Sequence, residues 1–235
     1  MMNSLQDIRE KWQRSRMAVE ILVRKQKYAP SDGDGFNGQA LRKRIFRELM
    51  TLSFDAIVET GTFMGSTTGY MSEVSGLPVY SCEARRLYHF AARSRLSRLP
   101  NVQLKGGDSR TFLRNLALGP LAQKRVFFYL DAHWYKDLPL REEIEIIGAQ
   151  WTSCAIMIDD FRVAHDEGYH YDDYGPGRVL SFELIEDVVK KYRFASFAPS
   201  SPSSEETGAK RGCLVLTAPG GLAERVGSMD SLRPL

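Results

Sequence analysis

Three cysteines in 235 residues, Cys82, Cys154 and Cys213, each set in an apolar run, exclude a disulfide framework and a cysteine metal site. They read as buried free thiols in a reducing compartment. No apolar run reaches the roughly 18 residues of a membrane-spanning helix, so no membrane partner is expected. The opening stretch MMNSLQDIREKWQRS is polar and charged, without the apolar core of a secretory signal. The expected location is therefore cytoplasmic. No internal repeat is present.

The charge is unevenly spread. Residues 1–50 carry 11 Lys/Arg against 6 Asp/Glu, while residues 131–187 carry 4 against 14 and hold three of the four histidines. A solvated acidic face accounts for most of those carboxylates, and a cation site is the sharper reading for a few. The basic N-terminal part lacks the aromatic interleaving of a nucleic-acid surface, so nucleic acid is not an expected partner.

Short β-rich runs alternate with helical periods along the chain. Strands are expected at 56–59, 79–83, 102–105, 126–131 and 155–159, with helices at 66–74, 85–99, 109–118, 138–150 and 179–192. This alternation implies an α/β fold with a parallel sheet covered on both faces. Two more strands, 193–197 and 213–217, follow without a helix between them. Their connector 199–208 is rich in Pro, Ser and Gly and reads as a mobile hairpin loop. Residues 218–235 are expected to be a disordered tail. Ahead of the first strand, Leu5, Ile8 and Trp12 mark one helix, and Leu41, Ile45 and Leu49 form the apolar stripe of a second. The segment 1–36 could serve as a lid or a homodimer contact, or simply pack on the sheet.

The most informative stretch is 57–67, Ile-Val-Glu-Thr-Gly-Thr-Phe-Met-Gly-Ser-Thr. A β-branched run ends in Glu59, two glycines permit a tight turn, and a Ser/Thr cluster can open a helix. Such a unit brings backbone N–H groups to a ligand at a strand end. Acidic residues then stand at one expected strand end after another: Glu59, Glu83, Asp108, Asp131 and the pair Asp159-Asp160. Glu83 is placed to accept from ribose hydroxyls, with a salt bridge to Arg85 or Arg86 as the alternative. Asp108 could accept from an adenine amino group or cap the helix that starts near Ser109. Asp131, Asp159 and Asp160 end adjacent strands, and three converging carboxylates suit a hard cation such as Mg²⁺. His133 is a candidate general base beside it, with Lys136 second; a structural or metal-ligating histidine is the alternative. Trp134, Tyr135 and the aromatic loop 165–177 could wall a substrate pocket.

These features together resemble a class I S-adenosylmethionine-dependent methyltransferase over residues 37–217. Glu59-Thr60-Gly61-Thr62-Phe63 with Gly65-Ser66-Thr67 resembles that family's cofactor loop, Glu83-Ala84 its ribose-binding acid, and Gly107-Asp108-Ser109 its adenine-side motif. The resemblance implies a Rossmann-like seven-stranded sheet in the order 3-2-1-4-5-7-6, with the last strand antiparallel. It also implies cofactor contacts from Glu59, Thr60, Gly61, Thr62, Phe63, Gly65, Ser66, Thr67, Glu83, Ala84, Asp108, Ser109 and Asp131. Within the class, Leu130-Asp-Ala-His-Trp134 and Ile158-Asp-Asp-Phe161 resemble metal-dependent O-methyltransferases of the macrocin type. This implies Asp131, Asp159 and Asp160 as Mg²⁺ ligands and a small-molecule hydroxyl, on a sugar or natural product, as the acceptor. Two departures stand out. Phe63 replaces the middle glycine of the loop, as in the metal-dependent subgroup. His133 stands where macrocin-type enzymes usually carry a second acid, which leaves the base between His133, the favoured one, and Lys136. The loop at 57–67 lacks the G-x-G-x-x-G spacing of dinucleotide enzymes. No Asn/Asp-Pro-Pro-aromatic segment of amino-methylating enzymes follows the fourth strand. A methyltransferase acting on an amine or macromolecule and a non-catalytic binder of the same fold are the competing readings.

Overall fold

A computed structural model of the chain describes residues 35–133 and 137–235. The expected first helix and the candidates Trp134, Tyr135 and Lys136 lie outside the described residues.

Each apolar β-rich run forms a strand, and each is buried in proportion to its place in the sheet. Strands β1 (Ala56–Thr60), β4 (Val126–Leu130) and β5 (Cys154–Ile158) are buried at every position. Such continuously apolar runs need a cover on both faces. Strand β2 (Val79–Glu83) lies beside β1, and β3 (Val102–Gly106), with three exposed residues, forms one edge. The order is β3-β2-β1-β4-β5 followed by β7 (Leu214–Thr217), β6 (Ala195–Pro199) and β8 (Leu232–Pro234), with the first five strands parallel. Strand β7 runs antiparallel between β5 and β6. This is the expected order with one strand more.

Helices fill both faces. Leu113 of α4 (Ser109–Ala117), Ile144 and Ile147 of α5 (Leu140–Gln150) and Val188 of α6 (Phe182–Tyr192) share a core with Phe128 and Trp151. On the opposite face, Ile45, Phe46 and Leu49 of α1 (Ala40–Met50) and Met71 of α2 (Ser66–Ser75) pack with Phe127 and Tyr129. Helix α3 (Arg86–Leu96) lies against β2 and β3. Cys82, Cys154 and Cys213 are buried and free. No helix among the described residues is long and apolar enough to cross a membrane.

Two expectations about the C-terminal part are corrected. Residues 218–235 are not a disordered tail: α7 (Gly221–Gly227) buries Val226, and β8 (Leu232–Pro234) pairs with the edge of β6 and buries Leu232. Apolar burial and a strand edge in need of a partner outweigh the segment's polar composition. A proline in such a short edge strand also discourages further pairing. The connector 199–208 is likewise packed. Its Glu206, 4 % exposed, accepts the Leu41 and Arg42 N–H groups at 3.0 and 3.2 Å, and so caps the start of α1 from across the chain.

The stripe of α1 keeps the expected Ile45 and Leu49 and differs at its first residue. Leu41 is only half-buried, and Arg42 joins Ile45, Phe46 and Leu49 on the buried face. The Arg42 guanidinium, 2 % exposed, pairs with Asp159 and donates to the carbonyls of Arg211 and Gly212 at 2.6 and 2.8 Å. Asp159 also accepts from the Tyr129 hydroxyl at 2.6 Å. Removing one member of a buried pair leaves an uncompensated charge, which costs about 3–5 kcal/mol. Arg42→Met should therefore lower the unfolding free energy in urea by about that amount. Adding Asp159→Asn should restore part of it.

Candidate functional site

The strand order reverses between the parallel neighbours β1 and β4. The chain leaves β1 for α2 on one face and β4 for α5 on the other, so a crevice opens at their carboxyl ends. Gly61 lies on its floor with φ +85°. A Cβ there would stand 2.1 Å from the Asp131 carbonyl oxygen and 2.4 Å from its carbon, so only glycine fits. Phe63 follows in the left-handed region (φ +51°), its ring edge-on to Tyr88 at 4.5 Å. Gly65, also left-handed, opens α2 without a side-chain cap, so the helix presents its leading end to the crevice uncapped.

The acids around this loop divide into supports and rim groups. Glu59, 1 % exposed, lies beneath the loop and accepts from Thr68 and Ser81, each at 2.5 Å. Burial pushes its pKa up to about 7 against those hydrogen bonds. Thr62 shares the Ser81 hydroxyl at 2.5 Å. Glu83 accepts the Phe63 and Arg85 N–H groups, both at 2.8 Å, one on each oxygen. It is thus tied to the backbone, with the Arg85 charge also acting on it, and each oxygen keeps a lone pair. Burial raises its pKa. Asp108 caps α4 through the Thr111 N–H at 3.0 Å and pairs with Arg110. Ser109 is buried at the start of that helix, and Ala84 is exposed. Thr67 accepts the Phe36 N–H at 3.1 Å, and Ser66 accepts from Arg95. Burial pushes the Glu143 carboxyl up to about 7 against contacts with the Ser109 and Thr60 hydroxyls, which fall short of good hydrogen-bond geometry.

The second group stands at the ends of β4 and β5. The expected convergence of Asp131, Asp159 and Asp160 is corrected here. Asp159 turns under the sheet to Arg42 and Tyr129. Burial alone would raise its pKa, but the guanidinium and the phenol hold it below the usual carboxylate range. His133 takes its place. One ligand atom each from Asp131, His133 and Asp160 lie within 4.8 Å of one another, with His133 Nε2 4.0 Å from Asp131 Oδ1. Ligands at about 2.1 Å from one cation stand about 3–4.2 Å apart, so a small closure would complete such a site. Burial and repulsion from Asp159 and Asp160 push Asp131 well above its ordinary value. Burial lowers the His133 pKa to about 4, which makes the imidazole neutral and a weak base. Its side chain is fully enclosed, whereas that of Asp131 is 30 % exposed.

Sequence reasoning missed the cations that balance this edge. Arg211 donates through Nε to Asp160 at 2.6 Å and pairs with Asp172. The Tyr174 hydroxyl donates to Asp172, with the His133 carbonyl also within its reach at 3.3 Å as a weaker, shared acceptor. Asp160 itself is left-handed (φ +54°), a conformation aspartate tolerates better than most residues. The only sequence signal for Arg42 was its position three residues before Ile45, in line with the apolar stripe. Nothing local marked Arg211.

This fold is that of class I S-adenosylmethionine-dependent methyltransferases. No protein-family model matches the chain, and no curated protein matches it in sequence. Among solved structures, it is similar to an O-methyltransferase from Bacillus cereus in complex with SAH, with TM-score 0.59 and 17 % identity over 87 % of this chain and 91 % of that one. The methyltransferase domain of bacterial CtHen1-C matches with TM-score 0.55 and 13 % identity, over 78 % and 99 % of the two chains. The O-methyltransferase TomG from Streptomyces achromogenes, involved in tomaymycin synthesis and solved with SAM, matches with TM-score 0.50 and 16 % identity, over 74 % and 79 %.

Gly61→Ala should separate the loop from the Asp131 backbone, lowering the melting temperature and abolishing ligand binding in the crevice; both are read by thermal unfolding with and without ligand. The raised pKa of Glu59 has a definite sign. The folded state holds its proton more tightly than the unfolded chain, so this stability is present below about pH 4.5 and is lost as pH rises through about 7. Glu59→Gln should remove up to one proton's share, about 1.4 kcal/mol per pH unit, from the slope of unfolding free energy between pH 5 and 7.

Proposed function

We propose that this chain transfers the methyl group of S-adenosylmethionine to a hydroxyl of a small molecule held at the ends of β4 and β5. The observation that carries this reading is the glycine loop at the sheet's switch point, which runs into the start of α2 without a side-chain cap and has Glu83 tied beside it. The residues present fit the cofactor. The uncapped start of α2 suits a carboxylate, Glu83 keeps lone pairs for ribose hydroxyls, and Asp108-Ser109 borders the adenine side. An acid-rich edge also suits a sulfonium cation. When bound, the cofactor supplies an electrophilic methyl group.

Asp131 is the carboxylate best placed to orient the acceptor, because its side chain remains partly exposed while that of His133 is enclosed. It would accept the hydrogen bond of the acceptor hydroxyl and then its proton. A divalent cation, Mg²⁺ on the resemblance, would be held by Asp131, His133 and Asp160 and would make that hydroxyl more acidic. The transfer itself is an in-line displacement, so the residues contribute mainly position and charge. The O-methyltransferases among the structural neighbours favour oxygen as the acceptor atom. The N-terminal segment, as lid or homodimer contact, belongs to this reading.

Calorimetric titration with S-adenosylhomocysteine tests it. Micromolar affinity, about −8 kcal/mol, is expected for the wild type. Asp131→Asn should keep that affinity within about threefold and lose at least about a hundredfold in methyl transfer to responsive hydroxyl acceptors. Absence of binding to the folded wild type would reject the methyltransferase reading.

A further inference from the structure

His133 is the least explained group in the molecule. It is 3 % exposed, its side chain is wholly enclosed, and neither ring nitrogen has a hydrogen-bond partner of good geometry among the described residues, the Asp159 backbone making only an imperfect contact. Leaving a buried polar nitrogen unpaired costs about 1–3 kcal/mol, and two on one ring is rarer still. The imidazole is not facing apolar surroundings. Its Nε2 is 4.0 Å from Asp131 Oδ1, and the three groups offer ligand atoms within 4.8 Å of one another. Asp160 reaches this place from a left-handed backbone, and the Tyr174 hydroxyl lies within reach of the His133 carbonyl. The histidine ring is thus directed among carboxylates.

Local charge points the same way. Asp131, Asp159, Asp160 and Asp172 face only the guanidiniums of Arg42 and Arg211 among the described ion pairs. With all four carboxylates ionised, two negative charges remain, which one divalent cation would neutralise. Asp159 is removed from the ligand set by Arg42 and Tyr129, which engage both of its oxygens.

We infer that Asp131, His133 and Asp160 form a mixed nitrogen and oxygen metal site that selects a first-row transition dication over Mg²⁺. The inference rests on the proposed reading for the role of the cation, but not for its existence. It departs from the all-carboxylate set that the sequence implies. Mg²⁺ binds oxygen ligands and gives up water reluctantly, whereas imidazole raises affinity for Mn²⁺, Co²⁺, Ni²⁺ and Zn²⁺ in the usual order. A neutral imidazole is the form that ligates.

The test uses the full chain stripped with EDTA, titrated separately with MgCl₂ and CoCl₂ in the absence of any cofactor or acceptor. Co²⁺ should bind at least about tenfold more tightly than Mg²⁺ and give a visible absorption band of a nitrogen-containing site. His133→Phe, which fills the same space without a ligand atom, should weaken Co²⁺ at least about tenfold, shift or abolish the band, and leave Mg²⁺ affinity nearly unchanged. Circular dichroism verifies that the variant is folded. If it is not, His133→Ala is read in the same way, and Asp160→Asn, which removes an oxygen ligand, should weaken both ions. Equal affinity for the two ions, a folded histidine variant with an unaltered cobalt spectrum, or no binding of either ion would each overturn the assignment. Binding of S-adenosylhomocysteine to the metal-free protein is measured in parallel. Its failure with an intact cobalt site would reject the methyltransferase reading alone.

Discussion

The arrangement at the carboxyl end of the sheet depends on one buried ion pair, Arg42 with Asp159. Two charges withdrawn from water are costly unless their remaining hydrogen-bonding capacity is met. Here it is met by Tyr129 and by the Arg211 and Gly212 carbonyls. The pair therefore ties three parts of the chain that are far apart in sequence: α1, the end of β5 and the strand entrance at 211–213. With α1 fixed, its N-terminus is available to Glu206, and the connector 199–208 is drawn against the body. With 211–212 fixed, Arg211 is aimed at Asp160 and Asp172.

The same pair divides the work of two neighbouring aspartates. Asp159 looks into the protein and holds it together; Asp160, one residue on and left-handed, looks outward into the acid cluster. A single backbone reversal thus separates a structural carboxylate from a chemical one. Arg42 and Arg211 leave the cluster negative without leaving it unbalanced to the point of disrupting the fold. The loop carrying Gly61 meets this edge at the Asp131 backbone, so the glycine loop and the acid cluster share one seam.

Much of this architecture was legible in the chain. Strand positions and the parallel character of the sheet followed from the alternation of β-rich runs and helical periods, because burial on both faces demands apolar runs of that length; the strand order and the reversed strand came with the resemblance alone. The cofactor loop was visible in its glycines, and the acidic edge in the residue that ends each strand. Contacts made across the sequence were not legible. Arg42 resembles any surface arginine of an amphipathic helix until Asp159 is found 117 positions away. For that reason three adjacent carboxylates suggested three ligands, and His133 was read as a base. The tail was misread because α7 and β8 are short and polar, and a strand edge that needs covering is a property of the sheet, not of the segment that covers it.

Phe63 has a further consequence. A bulky residue held at φ +51° stores roughly 1–2 kcal/mol of backbone strain. Here it is retained by an aromatic contact with Tyr88 and by the bond of its N–H to Glu83. Both restraints come from the β2–α3 side. The loop thus resembles a cocked latch whose catch lies on a different element from its hinge. A ligand that draws Glu83 away, or displaces the ring from Tyr88, would release that stored energy toward a second loop shape, making loop conformation and occupancy of the crevice parts of a single equilibrium.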